Sequence, residues 1–472
     1  MNAPRKTYRP WDPDAYRQQA HSPHSKLPEG DLVFFFLDVL PHLDLSAVYA
    51  PYEDQLRGAP PFDPRLMTCL WLYAYAVGVF SSRKLATACE RNLAFLAIVG
   101  DDRPDFRTLS DFRKLHLDAL AGLFHQVLQL AHAAGLIQLG AWATDGSKFP
   151  GNASRHKAMS YAYLQKDEAR LQAEIAALLQ EAQQTDEAED ATLGCRRGDE
   201  LPEELRFREE RLAKIRQAKA RLEEQAKAAA ETERQRRAAA EQQRQAEGRP
   251  AGGRAPGPIP EVPDAKAQTN FTDPELKIMP QPNKGWEYSG NAQVVVDDAC
   301  QIIMACEVVL ETNDKRQAVP MAQQALANLE AAGIARPRDA AGEVQPILSL
   351  QDSGYFSAAA VAGLEALDLE PYIATERQKH HGSAATAAAT PVPAEASVPE
   401  QMRAKLRTAR GRAVYGLRKG VVEPVFGQIK GARGFRRFSL RGLAKIKAEW
   451  RLVCLTHNLL KLWRYRSAPS VN

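Results

Sequence analysis

The segment WATDGSKFP, residues 142–150, follows a short apolar run and places Asp145 directly after it. The segment LSLQDSGYFS, residues 348–357, repeats this arrangement with Asp352. Short apolar runs bounded by polar and glycine residues predict β-strands. A carboxylate at the end of such a strand projects toward the crevice in which open α/β sheets bind their ligands. The two segments therefore predict an α/β protein with two aspartates at the ends of adjacent strands.

A third acidic residue, Glu423, opens the helix-like segment RKGVVEPVFGQIKGARGFRRF, residues 418–438. Lys430 lies on the same predicted helical face. Two divalent cations held about 4 Å apart by carboxylates can cleave and join phosphodiesters, and Mg²⁺ prefers such hard oxygen ligands. We therefore predict that Asp145, Asp352 and Glu423 are catalytic residues and ligands of two Mg²⁺ ions, which Mn²⁺ can replace.

Each of these signals also has a structural alternative. Asp145 followed by Gly146 is typical of a turn, because Asp bonds its own neighbouring backbone there. Glu423 before Pro424 is typical of a helix N-terminus. The agreement of all three acids with one order of strands and helices favours the catalytic interpretation.

The rest of the pattern extends the predicted sheet. An order of strand, hairpin, helix, strand, helix, strand and helix predicts an RNase H-like mixed sheet flanked by helices. The predicted strands are 139–144, 291–297, 301–311, 346–351 and 371–375, and the predicted helices between them are 315–332 and 357–367.

Composition divides the chain into a core and several additions. Heptad-like spacing in two stretches of 155–250, joined by a loop with Gly194, Gly198 and Pro202, predicts an antiparallel helical hairpin, with Glu168 and Lys219 interrupting the apolar seam. The predicted segments are a flexible arm (1–30), a helical N-terminal domain (31–137), the first catalytic strand (138–152), the helical insertion with a Pro/Gly linker (153–265), the rest of the core (266–381), a second linker (382–400) and a basic helical part (401–466).

The N-terminal domain reads as a series of short helices. Asp63 before Pro64 predicts a helix start, Ser81 or Ser82 predicts another, and a long helix is expected from Ser110 to Gly135. Basic residues near these starts leave two interpretations open, a helix-turn-helix-like DNA-binding domain or a helical packing domain with solvated charges. The basic residues are Arg83, Lys84, Arg91, Arg107, Arg113 and Lys114.

The basic residues of the C-terminal part are less mixed with acids than a solvated face would be. The net charge of the whole chain is only +4, so the distribution of charge carries the argument. A phosphate backbone is the expected partner, and for Phe435 and Phe438 packing is favoured over stacking on bases. The predicted DNA-binding residues are Tyr415, Arg418, Lys419, Lys430, Arg433, Arg436, Arg437 and Arg441.

Cysteine usage and hydropathy indicate the compartment. The six cysteines are scattered without zinc spacing, which predicts reduced thiols. The N-terminus has no secretory h-region, and no apolar run reaches the roughly 18 residues that a membrane helix needs. We expect a cytoplasmic protein that does not enter membranes and is associated with the nucleoid when it binds DNA.

Together these blocks resemble the DDE transposases of bacterial insertion sequences, in the branch with a helical N-terminal domain and an RNase H-like catalytic domain. The likeness rests on WATDGSK, QDSGYFS, NAQVVVDD and the N-terminal block from FDPRLM to FRKLH. It is most specific in the C-terminal block that begins VEPVFGQIKGARGFRRF. It covers most of the chain outside the arm, the insertion at 155–265 and the linker at 382–400.

Many such transposases carry a signature of Tyr, Arg, Glu and Lys separated by two, three and six residues. Tyr415 and Arg418 keep the first spacing, and Glu423 and Lys430 keep the last. The middle spacing from Arg418 is one residue too long, and Lys419 stands at the expected distance instead. The sequence leaves open which of the two cations takes the Arg role.

The resemblance implies a mechanism and partners. Metal-activated water cuts at the terminal inverted repeats, the released 3′-hydroxyls attack target DNA, and Lys430 steadies a phosphate near the cut. A homodimer on DNA is expected, with the insertion hairpin as a possible dimerisation or DNA-holding element. Two alternatives remain: an RNase H-like nuclease that never joins strands, and a non-catalytic, decayed DNA-binding protein.

Overall fold

The computed structural model describes residues 6–18, 22–53, 59–193, 203–246, 248, 257–281, 284–376 and 396–467. The predicted loop with Gly194, Gly198 and Pro202, residues 249–256 of the Pro/Gly linker and most of the 382–400 linker lie outside these residues. The chain divides into two compact units. The first comprises Met1–Asn152, Met279–Gly285 and Ser289–Asn472, and the second comprises Ala153–Ile278 and Trp286–Tyr288.

The N-terminal part of the first unit is helical, as predicted. Asp63 caps the fourth helix through a bond from the Arg65 N–H, and Pro64 follows in the first turn. The helix expected to begin at Ser110 begins earlier, because Asp105 caps it, and it is two helices instead of one. The helices are α1 (Pro13–Arg17), α2 (Leu32–Val39), α3 (Ser46–Glu53), α4 (Pro64–Ala76), α5 (Ser82–Arg91), α6 (Leu93–Val99), α7 (Phe106–Gly122) and α8 (Phe124–Ala133).

Part of the segment predicted as a flexible arm, 1–30, packs against helix α6. Trp11 is buried, and its indole N–H donates to the Ile98 carbonyl at 3.0 Å. An aromatic side chain of this size contributes substantial apolar burial and fixes the segment around it. Within the described ranges, no single helix is long and apolar enough to cross a membrane, although the bent pair Leu32–His42 and Ser46–Glu53 passes on length and composition alone.

The rest of the chain supplies eight strands and seven further helices among the described residues. In chain order they are β1 (Ala141–Pro150), β2 (Ala158–Ser160), α9 (Tyr161–Leu193), α10 (Glu203–Ala246), β3 (Gln268–Asn270), β4 (Lys277–Pro280), β5 (Trp286–Asp297), β6 (Ile303–Val309), α11 (Ala318–Ala331), β7 (Ile347–Gln351), α12 (Ala358–Glu365), β8 (Leu369–Ile373), α13 (Val398–Arg407), α14 (Ala409–Gly427) and α15 (Leu443–Ser467).

The main sheet has the predicted mixed topology. Its path is β6-β5-β1-β7-β8, and β4 also pairs with β5. β5 runs antiparallel to β1 and β6, while β7 and β8 run parallel to β1 and to each other. Helices α11, α12, α14 and α15 pack against strands of this sheet. The RNase H-like α/β fold expected from the order of elements is therefore confirmed.

Strand β1 is longer than predicted and does not end at Asp145. It continues to Pro150, and Asp145 pairs with Val294 and Gly146 with Gln293 across β5. The Asp-Gly pair is therefore not a turn. A Cβ at Gly146 would lie 2.1 Å from the Gln293 amide nitrogen, so the Gln293 side chain approaches the backbone closely at this glycine.

Helix α15 joins the sheet to the N-terminal helices. It packs against β6 on one side and against α4, α7 and α8 on others. This central position explains why most of its first five turns are buried, including Trp450, Val453 and Leu459. The N-terminal helices and the sheet therefore belong to one compact unit.

The second unit contains the predicted helical hairpin. Helices α9 and α10 pack together around an apolar cluster that includes Leu164, Leu171 and Ile215. The two polar residues that interrupt the seam bond each other, because Lys219 donates to Glu168 at 2.8 Å. An ion pair between the two helices thus occupies the positions at which the apolar seam is interrupted.

Candidate active site

The sheet brings Asp145 and Asp352 side by side. The last parallel pair between β1 and β7 is Thr144 with Gln351, and the two aspartates are the next residues on each strand. Beyond this point β7 ends, while β1 continues beside β5. The sheet opens at this fork. Asp352 follows the end of β7, as the sequence predicted, whereas Asp145 lies inside β1.

The environment of Asp145 disfavours its ionised form. Burial, followed by the negative charge of Asp352, raises the pKa of Asp145 to about 7. A hydrogen bond from the Gly146 N–H at 2.8 Å and the nearby charge of Arg418 act in the opposite direction. A strongly perturbed carboxyl beside a second carboxyl is typical of a functional site, since two like charges in one place require a compensating partner.

Arg418 connects Asp145 with Glu423. One guanidinium nitrogen lies 3.6 Å from Asp145 Oδ2, and the other lies 3.6 Å from Glu423 Oε1. Arg418 is buried, whereas Lys419 is exposed. Of the two cations that the signature spacing leaves open, Arg418 is the one that contacts both Asp145 and Glu423.

Lys430 lies in a π-helical turn, Gln428–Ala432, that directly follows α14, the helix of Arg418 and Glu423. Its ammonium donates to Ser147 Oγ at 2.6 Å and to the Lys148 carbonyl at 3.3 Å, and it lies 4.3 Å from the centre of the Phe149 ring. Burial lowers the pKa of Lys430. The lysine is thus held beside β1, two residues beyond Asp145.

Aromatic rings pack around Phe149, the β1 residue that Lys430 contacts. The rings of Phe435 and Phe438 are fully buried and contact Phe149. Trp450 of α15 lies 5.0 Å from Phe149, and its indole N–H donates to the Gln293 carbonyl. The preference for packing over base stacking at the two phenylalanines is therefore confirmed.

The predicted DNA-binding residues divide by exposure. Arg436, Arg437 and Arg441 are exposed, and Tyr415 is half-buried beside Arg418. The DNA-binding prediction for Arg433 is wrong. Its buried guanidinium donates to the Tyr75 and Val453 carbonyls and to Thr456 Oγ1.

Arg113 of the N-terminal domain is a similar case. Its side chain is buried, donates to the Phe80 carbonyl at 2.8 Å and lies 4.5 Å over the Trp71 ring. It serves packing, while Arg83, Lys84 and Arg107 are exposed. For Arg113 the packing interpretation of the N-terminal basic residues holds.

Sequence reasoning missed a polar group next to the aspartates. Asp314, in the loop after β6, accepts hydrogen bonds from Asn291 at 2.7 Å and from Gln293 at 2.6 Å. Tyr355, buried after β7, donates to the Gln293 side-chain oxygen. No spacing motif marks these residues, and only the alternation of Asn291 and Gln293 along β5 hints that they share one face.

Of the three predicted metal ligands, the two aspartates suit a hard divalent cation. Among the described residues, no group of three His, Cys, Asp or Glu side chains is close enough to hold a metal ion. Asp145 and Asp352, however, are neighbouring carboxylates, and burial, followed by the charge of Asp352, raises the pKa of Asp145. Oxygen ligands of this kind are those that Mg²⁺ takes. Glu423 is engaged with Arg418, so that the third carboxylate points to a cation that the protein itself supplies.

Comparison with known protein families gives two matches. A family described as "Transposase DDE domain" matches residues 377–463. A family described as "Transposase domain (DUF772)" matches residues 21–115. No curated protein and no solved structure matches the chain. The first match covers α13, α14 and most of α15, which carry Arg418, Glu423 and Lys430, and the second covers most of the N-terminal helices.

Proposed function

Because the two family matches indicate an insertion-sequence DDE transposase, we propose that this chain cuts DNA at the ends of its element and joins those ends to target DNA. The proposed chemistry is a two-metal DDE mechanism with Asp145, Asp352 and Glu423 as metal-holding catalytic residues. The observation that carries the proposal is the adjacency of the two aspartates at the sheet fork, with Glu423 linked to Asp145 through Arg418.

DDE transposases in general use divalent metal ions, with Mg²⁺ expected here and Mn²⁺ as a substitute. The pair Asp145 and Asp352 would hold such an ion, and Glu423 would join them after leaving Arg418. The bound cations would make a water or a 3′-hydroxyl more nucleophilic and stabilise charge on the phosphate under attack.

The protein's own cations have separate roles in the proposal. Arg418 lies between two carboxylates and is ready to exchange Glu423 for a DNA phosphate, which a guanidinium binds with two hydrogen bonds. Lys430, held by Ser147 and the Phe149 ring, presents a positive charge beside the fork. Both residues would position the scissile phosphate against the aspartates.

The partners follow from this chemistry. Terminal inverted repeats and target DNA are the proposed substrates, and the exposed Arg436, Arg437 and Arg441 would contact their backbones. Lys419 and Tyr415 flank the same helix face and stay in the proposed contact surface. We propose a homodimer on DNA and a location with the bacterial nucleoid in the cytoplasm.

The test is Mg²⁺-dependent nicking of the element's terminal DNA. We expect wild type to nick the end and Glu423→Gln to lose that activity by at least about a hundredfold, as for removal of a group that acts on the transition state. Glu330→Gln, on the exposed face of α11, is the matched control and should cut normally. Equal cutting by wild type and Glu423→Gln would contradict the proposal.

Pre-cut ends separate the transposase from the two alternatives. A transposase joins a pre-cut end to target DNA, whereas an RNase H-like nuclease gives no joined product. A non-catalytic DNA-binding protein gives neither product, and Asp145→Asn and Asp352→Asn would then leave its DNA behaviour unchanged.

A further inference from the structure

A buried glutamine of β5 lies directly across from the strand position that follows Asp145. Gln293 pairs with Gly146 in the antiparallel register of β5 and β1, and its side chain is fully buried. Its Oε1 accepts a hydrogen bond from the Tyr355 hydroxyl, and its Nε2 donates to Asp314 Oδ1 at 2.6 Å. Buried polar atoms are nearly always hydrogen-bonded, and because both ends of this amide are bonded, its position is fixed.

The hydroxyl of Tyr355 ties this glutamine to the turn that carries Asp352. Tyr355 is fully buried, and its N–H donates to the Asp352 carbonyl at 3.3 Å. The Gly354 N–H donates to Asp352 Oδ1 at 2.8 Å in the same turn. Burial raises the pKa of Tyr355 well above its usual value, so the hydroxyl stays protonated and donates. A side-chain hydrogen bond therefore holds the turn after β7 to β5.

The same glutamine packs against β1 beside Asp145. A Cβ at Gly146 would lie 2.9 Å from Gln293 Cδ, so the side-chain amide lies directly against the backbone of this glycine. The Gly146 N–H in turn donates to Asp145 Oδ1 at 2.8 Å. The β5 backbone is anchored at this point, because the Trp450 indole N–H donates to the Gln293 carbonyl at 3.1 Å. The Gln293 side chain thus contacts β1 next to Asp145 and, through Tyr355, holds the turn of Asp352.

Neighbouring carboxylates repel each other when both are ionised, so the groups around them must set their separation. We propose that Gln293 and Tyr355 are positioning residues that set the distance between Asp145 and Asp352. Tyr355 holds the turn of Asp352, and Gln293 relays that restraint to β1. This inference rests on the proposed function, because the separation matters for a reaction at these two aspartates.

Tyr355→Phe is the first test, because it keeps the ring and removes the hydroxyl that bonds Gln293. The measurement is single-turnover, Mg²⁺-dependent nicking of the element's terminal DNA by the full-length protein, beside the dissociation constant for the same DNA. We expect the nicking rate at saturating DNA to fall at least about tenfold, because displaced catalytic groups lose rate even when the substrate is bound. The dissociation constant should stay within about twofold of wild type, since only the chemical step is affected.

Tyr288→Phe is the matched control. Tyr288 is also buried, and its hydroxyl donates to the Gln268 side-chain oxygen at 3.2 Å. Both variants lose a hydrogen bond from a buried tyrosine to a glutamine and should unfold at similar temperatures, but only Tyr355→Phe should nick slowly. A wild-type nicking rate in Tyr355→Phe, an equal loss of rate in Tyr288→Phe, or a loss confined to DNA binding would overturn the inference.

Gln293→Met is a second variant, of similar length but without the amide. Its nicking rate should also fall, and the double variant with Tyr355→Phe should be no slower than the slower single variant, because both residues act through one hydrogen bond. Losses that multiply in the double variant would contradict the inference. If wild type does not nick, or Asp145→Asn nicks as fast as wild type, the proposed function itself fails.

Discussion

At the scale of single residues, Arg418 links two of the predicted catalytic carboxylates. It is the cation that contacts both Asp145 and Glu423, whereas its neighbour Lys419 is exposed. We expect Arg418→Ala to reduce end cleavage by about a hundredfold or more, as for loss of a pre-organised charge at a reacting phosphate. Lys419→Ala should retain most of the activity in the same nicking assay. The reverse result would assign the Arg position of the signature to Lys419.

A second residue-scale prediction separates two arginines of one loop. Arg433 is buried and bonds the carbonyls of Tyr75 and Val453, while Arg437 is exposed. Arg433→Gln should therefore lower the free energy of unfolding by about 1–3 kcal/mol, because it leaves buried carbonyls without partners. Arg437→Gln should keep the stability and reduce the salt dependence of DNA binding by roughly one phosphate contact. Denaturant titration and binding at several salt concentrations measure the two effects.

Sequence patterns point to candidate site residues that lie in recognisable local segments. They do not point to residues that come close to the site only through the tertiary fold. Asp145 and Asp352 each follow a short apolar run in the sequence, and the register of β1 and β7 then makes them neighbours. Asp314 lies in a loop with no such signal, and its place depends on how β5 presents Asn291 and Gln293. Arg433 fails as a DNA contact because a basic run alone does not show which cations are buried.

At the scale of elements, the α9–α10 hairpin depends on a matched pair of charges. Glu168 accepts from Lys219 at 2.8 Å and from Arg216 at 3.1 Å. We expect Glu168→Lys to destabilise the hairpin by about 1 kcal/mol, the upper range for a partly exposed ion pair. The double variant with Lys219→Glu should recover much of that loss. A double variant no more stable than Glu168→Lys alone would show that the pair is not a coupled contact.

Element boundaries were predicted less well than element types. The heptad pattern identified both helices of the hairpin, because apolar residues at that spacing must face a partner helix. Strand β1 was cut short at Asp145, because an Asp-Gly pair resembles a turn when its neighbours are unknown. The close approach of the Gln293 side chain to Gly146 is a tertiary contact and leaves no trace in the local pattern.

At the scale of the whole molecule, buried histidines predict a loss of stability in acid. Burial lowers the pKa of His457 to about 3, and its Nε2–H donates to the Gln301 carbonyl. The unfolded chain takes up a proton at this histidine near pH 6.5 while the folded chain does not, so its contribution is full above pH 6.5 and is lost as pH falls toward 3. Each unit of difference between the unfolded and folded pKa of His457 corresponds to roughly 1.4 kcal/mol in the free energy of unfolding.

The measurement is the free energy of unfolding between pH 7.5 and 5 in wild type and His457→Gln. The wild type should lose more stability over this interval than the variant. Asp145 acts in the opposite direction in metal-free protein, because its folded pKa of about 7 lies above the ordinary value, so only the difference between the two proteins is informative. Equal slopes would contradict the assignment to His457.

The chain leaves the sheet after Pro150 of β1 and later returns in β5, where Ser289 pairs with Pro150. The free energy of closing a loop grows only with the logarithm of its length, so extra chain between these two positions adds little to the barrier against pairing them. The sheet should therefore tolerate insertions of different length between β1 and β5. Replacing the segment between these strands with one of another length should leave unchanged the strand pairing that places Asp145 beside Asp352.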